Sequence, residues 1–139
     1  MCLICEKKNL VGIRKVTLCE NVTELPTESI NLEELYCNGN KNITIIPREY
    51  SKLKVLECNN TIITSIPPEL LRLNTLWIGN TNIEELPSEL IRLQVLFCNG
   101  SKLKYLPESY TNLKTLFYRD TLFQIRLSYY PNLKHIDTN

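Results

Sequence analysis

Leu73 to Pro87 reads LNTLWIGNTNIEELP, and the stretches on either side of it are variants of the same template. Leu53 to Pro67 is LKVLECNNTIITSIP, and Leu93 to Pro107 is LQVLFCNGSKLKYLP. In this register Leu53, Leu73 and Leu93 fall in one column and Leu56, Leu76 and Leu96 in the next, while Pro47, Pro67, Pro87 and Pro107 recur every 20 residues. A fixed period of that size marks a solenoid, in which each unit buries its apolar side only against its neighbours.

The frame extends in both directions. IRKVTLCENVTELP puts Ile13, Val16, Leu18, Val22 and Leu25 in the apolar columns, with a turn one residue short. LEELYCNGNKNITIIP, from Leu32, has a turn one residue long. The unit from Leu113 carries Arg126 and Leu127 where the others have an aliphatic residue and Pro. LKHIDTN then offers Leu133, Ile136 and Thr138 as the strand columns of a last unit. Residues 1–12 match no unit and are expected to cap the stack. The expected division is therefore a cap at 1–12 and a repeat domain at 13–139, of about six repeats and a final strand.

Within a unit, Leu56/Cys58 or Leu76/Ile78 alternate with the period of a half-buried strand only a few residues long. Asn38-Gly39, Asn59-Asn60, Gly79-Asn80 and Asn99-Gly100 follow at once, residue types that tolerate positive φ and let the chain bend away. Ile63, Ile83 and Leu103, then Ile66, Leu86 and Leu106, turn back to the core. Proline then blocks helix and ladder alike, leaving an extended or single-turn return closed by Tyr50, Leu70, Leu90, Tyr110 and Tyr130.

LxxLxCxxTxIxxIP and its sister units resemble the leucine-rich repeat family over nearly all of Ile13 to Asn139. The short Leu-Pro unit resembles the class found in bacterial effectors, and the Asn- and Cys-rich form resembles repeat proteins of giant viruses of amoebae. The resemblance implies an α/β solenoid: a right-handed curved stack with a parallel sheet on its concave face and mostly extended or single-turn convex segments. Seven rungs about 4.8 Å apart make a stack roughly 30 Å long. The chain departs from the family at the buried turn column, where the usual Asn is kept only at Asn40. Thr61, Thr81, Ser101 and Thr121 replace it. A hydroxyl has fewer hydrogen-bonding groups than an amide, so a weaker polar ladder is expected there.

A formal net charge of +1 over 139 residues gives no basic footprint for nucleic acid and no acidic tail. The N-terminus lacks the pattern of a secretory signal, and no run reaches the roughly 18 apolar residues of a membrane span. The expectation is a soluble protein of the cytoplasm, in a host cytoplasm or a virion if its source is viral, that binds neither nucleic acid nor membrane.

Register also fixes which side chains leave the core, because residues flanking an inward column of a strand point the other way. One outward column runs Lys15, Glu34, Val55, Thr75, Val95, Thr115, His135, and a second runs Thr17, Tyr36, Glu57, Trp77, Phe97, Phe117, Asp137. Trp77, Phe97 and Phe117 thus stand on adjacent strands, with Tyr36, Val55 and Val95 beside them. Aromatics paired along a sheet stabilise it by roughly 0.2–1 kcal/mol per pair, which is one explanation. The other is a binding surface, since contiguous apolar patches on a sheet face mark interfaces. The reading adopted is a non-catalytic module that binds protein through Tyr36, Val55, Trp77, Val95, Phe97 and Phe117, and that forms a homodimer through this patch or through the edge of the final strand.

Cys37, Cys58 and Cys98 share the inward column of Leu18, Ile78 and Tyr118 and read as small core residues. Cys2 and Cys5 form a lone CxxC, with Cys19 the nearest thiol by register and the single histidine, His135, at the far end. A closed zinc site needs four ligands, so a cap is preferred and no metal or cofactor is assigned. The alternative is a structural assembly component with an N-terminal zinc site. Glu28, Glu49, Glu69 and Glu89 recur beside the prolines as a solvated face. With no paired acid and base and no phosphate loop, no enzymatic activity is expected.

Overall fold

The structure is a computed structural model and describes residues 11–137. Seven strands of three residues each, β1 (Lys15–Thr17), β2 (Glu34–Tyr36), β3 (Val55–Glu57), β4 (Thr75–Trp77), β5 (Val95–Phe97), β6 (Thr115–Phe117) and β7 (His135–Asp137), lie side by side in chain order. Every pair is parallel, and the register runs Lys15, Glu34, Val55, Thr75, Val95, Thr115, His135 across the sheet, with Thr17, Tyr36, Glu57, Trp77, Phe97, Phe117, Asp137 two residues on. These are the two outward columns expected from the sequence, residue for residue. Residues 1–10 of the expected cap, with the CxxC of Cys2 and Cys5, lie outside the described residues, as do Thr138 and Asn139.

Strands this short are held by what lies beneath them. Leu35, Leu56, Leu76, Leu96 and Leu116 are fully buried at the centre of successive strands, as are Leu53, Leu73, Leu93 and Leu113 just before them. Each such burial contributes about 1.5–3 kcal/mol. Ile43, Ile63, Ile83 and Leu103 close the column from the opposite leg. The inward position before the turn holds Cys37, Cys58, Ile78 and Cys98, all buried. Core and sheet are thus one continuous ladder with a cross-section of one repeat.

The turns divide labour between their two residues. Only the second has positive φ: Gly39 at 76°, Asn60 at 56°, Asn80 at 53°, Gly100 at 66° and Asp120 at 55°. The first serves through its side chain. Asn38 Oδ1 accepts from the Asn59 N–H at 2.8 Å, Asn59 Oδ1 from the Gly79 N–H at 2.6 Å, and Asn99 Oδ1 from the Arg119 N–H at 2.7 Å. This outer amide ladder skips one rung, because Gly79 has no side chain to continue it.

The return legs are turns rather than helices, with backbone bonds such as Tyr50 N–H to Pro47 O at 3.3 Å and Leu53 N–H to Tyr50 O at 2.9 Å. In the sixth unit, where Arg126 and Leu127 interrupt the pattern, a 3₁₀ helix spans Leu127–Tyr129. The closing tyrosines also join rungs. The hydroxyls of Tyr50, Tyr110 and Tyr130 donate to the carbonyls of Pro26, Pro87 and Leu106 at 2.8, 2.7 and 2.8 Å. Burial pushes the phenols of Tyr50 and Tyr130 up to about 12 and that of Tyr110 well above the usual range.

Candidate functional site

The outward sheet face gathers all six residues singled out in the sequence, but not as one patch. Trp77 and Phe97 stack with ring centroids 5.1 Å apart and planes 18° from parallel, and Phe117 follows at 5.5 Å and 37°. Val95 lies in the adjoining column between Thr75 and Thr115. Val55 is separated from Val95 by Thr75. Tyr36 is cut off from Trp77 by Glu57 and belongs to a charged cluster instead. Its hydroxyl donates to Glu34 Oε2 at 2.7 Å, and Lys15 Nζ reaches the same oxygen at 3.0 Å while lying 4.7 Å from the Tyr36 ring centre. That hydroxyl, with Lys15, holds the Glu34 carboxyl below its ordinary range.

The aromatic row is half-buried rather than fully exposed, because each ring covers its neighbour and Phe97 also covers the backbone beside it. A Cβ placed on Gly79 would meet Phe97 Cε1 at 2.9 Å and Asn59 Oδ1 at 3.0 Å. Gly79 is therefore glycine for room and not for φ. It is the seat of the Phe97 ring, a role that the sequence shows only as a gap in the Asn38, Asn59, Asn99 column.

Sequence reading gave less weight to the N-terminal rim of the sheet. One position before buried Leu53, Leu73 and Leu93 stand Lys52, Arg72 and Arg92, and one position after them Lys54, Asn74 and Gln94. Lys54, Arg72, Asn74, Arg92, Gln94 and Asn112 line a cleft of about 400 Å³. The signal was present as a repeated polar column, hidden by the aromatic column beside it.

The thiols of the inward column are core groups. Cys37 and Cys98 donate to the carbonyls of Glu57 and Phe117, both at 3.3 Å. The adjacent Cys37 and burial raise the Cys58 thiol well above its usual range, and burial pushes that of Cys98 up to about 12. Such thiols are inert as nucleophiles. Among the described residues no group of three or more His, Cys, Asp or Glu side chains is placed to hold a metal ion.

Residues 31–53 match the model of the Leucine Rich Repeat family. Solved structures share the fold over most of the chain. The functional domain of InlJ from Listeria monocytogenes, described as including a cysteine ladder, superposes with a TM-score of 0.78 at 25% identity, over 88% of this chain and 28% of that one. InlP from Listeria monocytogenes gives a TM-score of 0.67 at 20% identity, over 89% of this chain and 37% of that one. The leucine-rich repeat protein LIC12759 of Leptospira interrogans gives 0.58 at 21%, over 81% and 40%. No curated protein sequence matches the chain.

With its parallel ladder, its repeat register and these likenesses, the chain has the fold of leucine-rich repeat proteins. It spans between about a quarter and two fifths of the length of these three proteins. All three are bacterial, and the resemblance to viral repeat proteins rests on composition alone.

Proposed function

We propose that the chain is a non-catalytic module that binds a protein partner through the row Trp77, Phe97 and Phe117, with Val95 at its flank. The observation that carries this reading is the stacked row itself, three aromatic rings on consecutive strands of a face that no other element of the described chain covers. Trp and Phe are enriched at interface cores because they bring large apolar area with few rotatable bonds. Val55 and Tyr36 sit at the periphery of this surface. Tyr36 serves its charged cluster first.

The same row offers a surface for self-association, a second copy covering Trp77, Phe97 and Phe117. The free, buried thiols of Cys37, Cys58 and Cys98 suit a reducing compartment and support an intracellular site of action.

Sedimentation at micromolar concentration tests the assembly. Wild type is expected to sediment as a dimer and Trp77→Ala/Phe97→Ala as a monomer. A wild-type monomer removes the self-association, and a dimer in the variant moves it off the aromatic row.

A further inference from the structure

Beside the aromatic row, the rim cleft is lined almost entirely by hydrogen-bond donors. Arg72 and Arg92 are exposed on adjacent rungs, and among the described residues neither has a hydrogen-bond or ion-pair partner. The amides between them and the row are already oriented. Asn74 Oδ1 accepts from the Thr75 hydroxyl at 2.9 Å, and Gln94 Oε1 accepts from Lys114 Nζ at 2.9 Å. Neither amide's NH₂ group has a hydrogen-bond partner among the described residues. Asn112 spends one N–H on Ile91 O at 2.8 Å. Lys54 adds a cation at the end of the cleft, shared with Glu33 at 2.6 Å. Two unpaired guanidiniums and two amides with unspent N–H donors make a surface that suits a carboxylate.

We propose, on the reading that the aromatic row binds protein, that this cleft selects an acidic segment of the partner, Arg72 and Arg92 engaging its Asp or Glu carboxylates while an apolar side chain of the same segment lies on Trp77 and Phe97. Asn74 and Trp77 are three residues apart along an extended strand, so the two subsites are about 10 Å apart. An extended peptide running along the strand direction spans that distance in about three residues. Charge complementarity favours an acidic protein segment over nucleic acid. Arg72 and Arg92 stand together in one cleft, and Glu33, Glu34 and Glu57 on the neighbouring rungs interrupt any track for successive phosphates.

The test is selection of phage-displayed random dodecapeptides on the full chain, in wild type, Arg72→Glu/Arg92→Glu and Trp77→Ala/Phe97→Ala forms, with circular dichroism showing that each variant is folded. Wild type is expected to enrich peptides in which Asp or Glu lies about three positions from an aromatic or aliphatic residue. The synthetic consensus peptide should lose tenfold or more in affinity in the arginine variant. Peptides that need Trp77 and Phe97 but show no acidic bias overturn the cleft assignment and leave the aromatic row standing. No enrichment over bare support, or enrichment indifferent to the aromatic pair, removes the row and the cleft together. Binding of oligodeoxythymidine that is lost in the arginine variant assigns the cleft to nucleic acid and overturns the acidic peptide.

Discussion

At Asn40 the buried turn is closed by an amide that reaches across to the preceding rung, donating to Cys19 O at 3.0 Å and Val22 O at 2.9 Å while its Oδ1 accepts from the N–H groups of Asn42 and Ile43. Three rungs on, Ser101 occupies the same column with a buried hydroxyl that makes no hydrogen bond of ordinary geometry and lies beside the Cys98 thiol. Between these extremes, Thr61, Thr81 and Thr121 each donate to the carbonyl three residues back, at 2.7 Å, and so brace their own rung without touching the next. One column of one fold thus contains an inter-rung tie, intra-rung braces and an idle group. In a linear array, where stability is a sum of rung terms and nearest-neighbour terms, the amide adds to the second kind and the hydroxyls only to the first. Later rungs are tied by other means: the outer ladder of Asn59 and Asn99, and the phenols of Tyr110 and Tyr130.

Substitutions at four positions test this contrast, in decreasing order of effect. Asn40→Ala leaves two carbonyls and two N–H groups without their partner in a buried turn, and is expected to cost about 3 kcal/mol by urea unfolding. Asn40→Thr should recover part of that loss. If both cost less than the unfolding measurement resolves, the amide is not the tie it looks to be.

Next comes Gly79→Ala, where the added methyl must displace the Phe97 ring or Asn59, at a cost of about 1–3 kcal/mol. The single tryptophan stacks on Phe97, so its fluorescence should shift with the substitution; an unchanged spectrum at full stability would show that the row accommodates a side chain beneath it.

Tyr110→Phe removes one inter-rung bond and is expected to cost about 1 kcal/mol at neutral pH. The phenols also set an alkaline limit. Their folded pKa values lie above the ordinary 10.0, so the stability they contribute is complete below pH 10 and is lost as pH rises toward about 12. A pH series of unfolding curves should show this decline in wild type and a shallower one in Tyr110→Phe.

Smallest is Ser101→Ala, which deletes a buried group with no bond to lose and should leave stability within about 0.5 kcal/mol of wild type or raise it slightly. A loss near that of Asn40→Ala would show a partner for the Ser101 hydroxyl in solution.

Much of this architecture was legible in the residues. The columns of Leu56, Leu76 and Leu96 and of Trp77, Phe97 and Phe117 came directly from the 20-residue period, because in a solenoid sequence neighbours one repeat apart are also spatial neighbours. The departure at the buried turn was visible too, as the hydroxyl residues in place of Asn. The candidate site was only half legible. The sequence column already placed Glu57 between Tyr36 and Trp77, but it did not show the hydrogen bond that draws the Tyr36 hydroxyl to Glu34. The role of Gly79 was equally hidden, because a glycine in a turn reads first as a φ requirement and only the Phe97 ring shows that it is a matter of space.

What the sequence by itself determined is the period, and with it the strand register, the inward and outward columns and most core positions. Those follow from residue types repeating at a spacing that only one stacking satisfies. What the tertiary structure alone decided is how polar groups pair across rungs. Asn38, Asn59 and Asn99 became a ladder, the Asn74 and Gln94 side-chain oxygens took bonds from Thr75 and Lys114, and Ser101 was left idle. Such choices depend on distances of a few tenths of an ångström and on which partner a neighbouring rung presents, and a hydrogen bond's direction is not written in the residue that makes it.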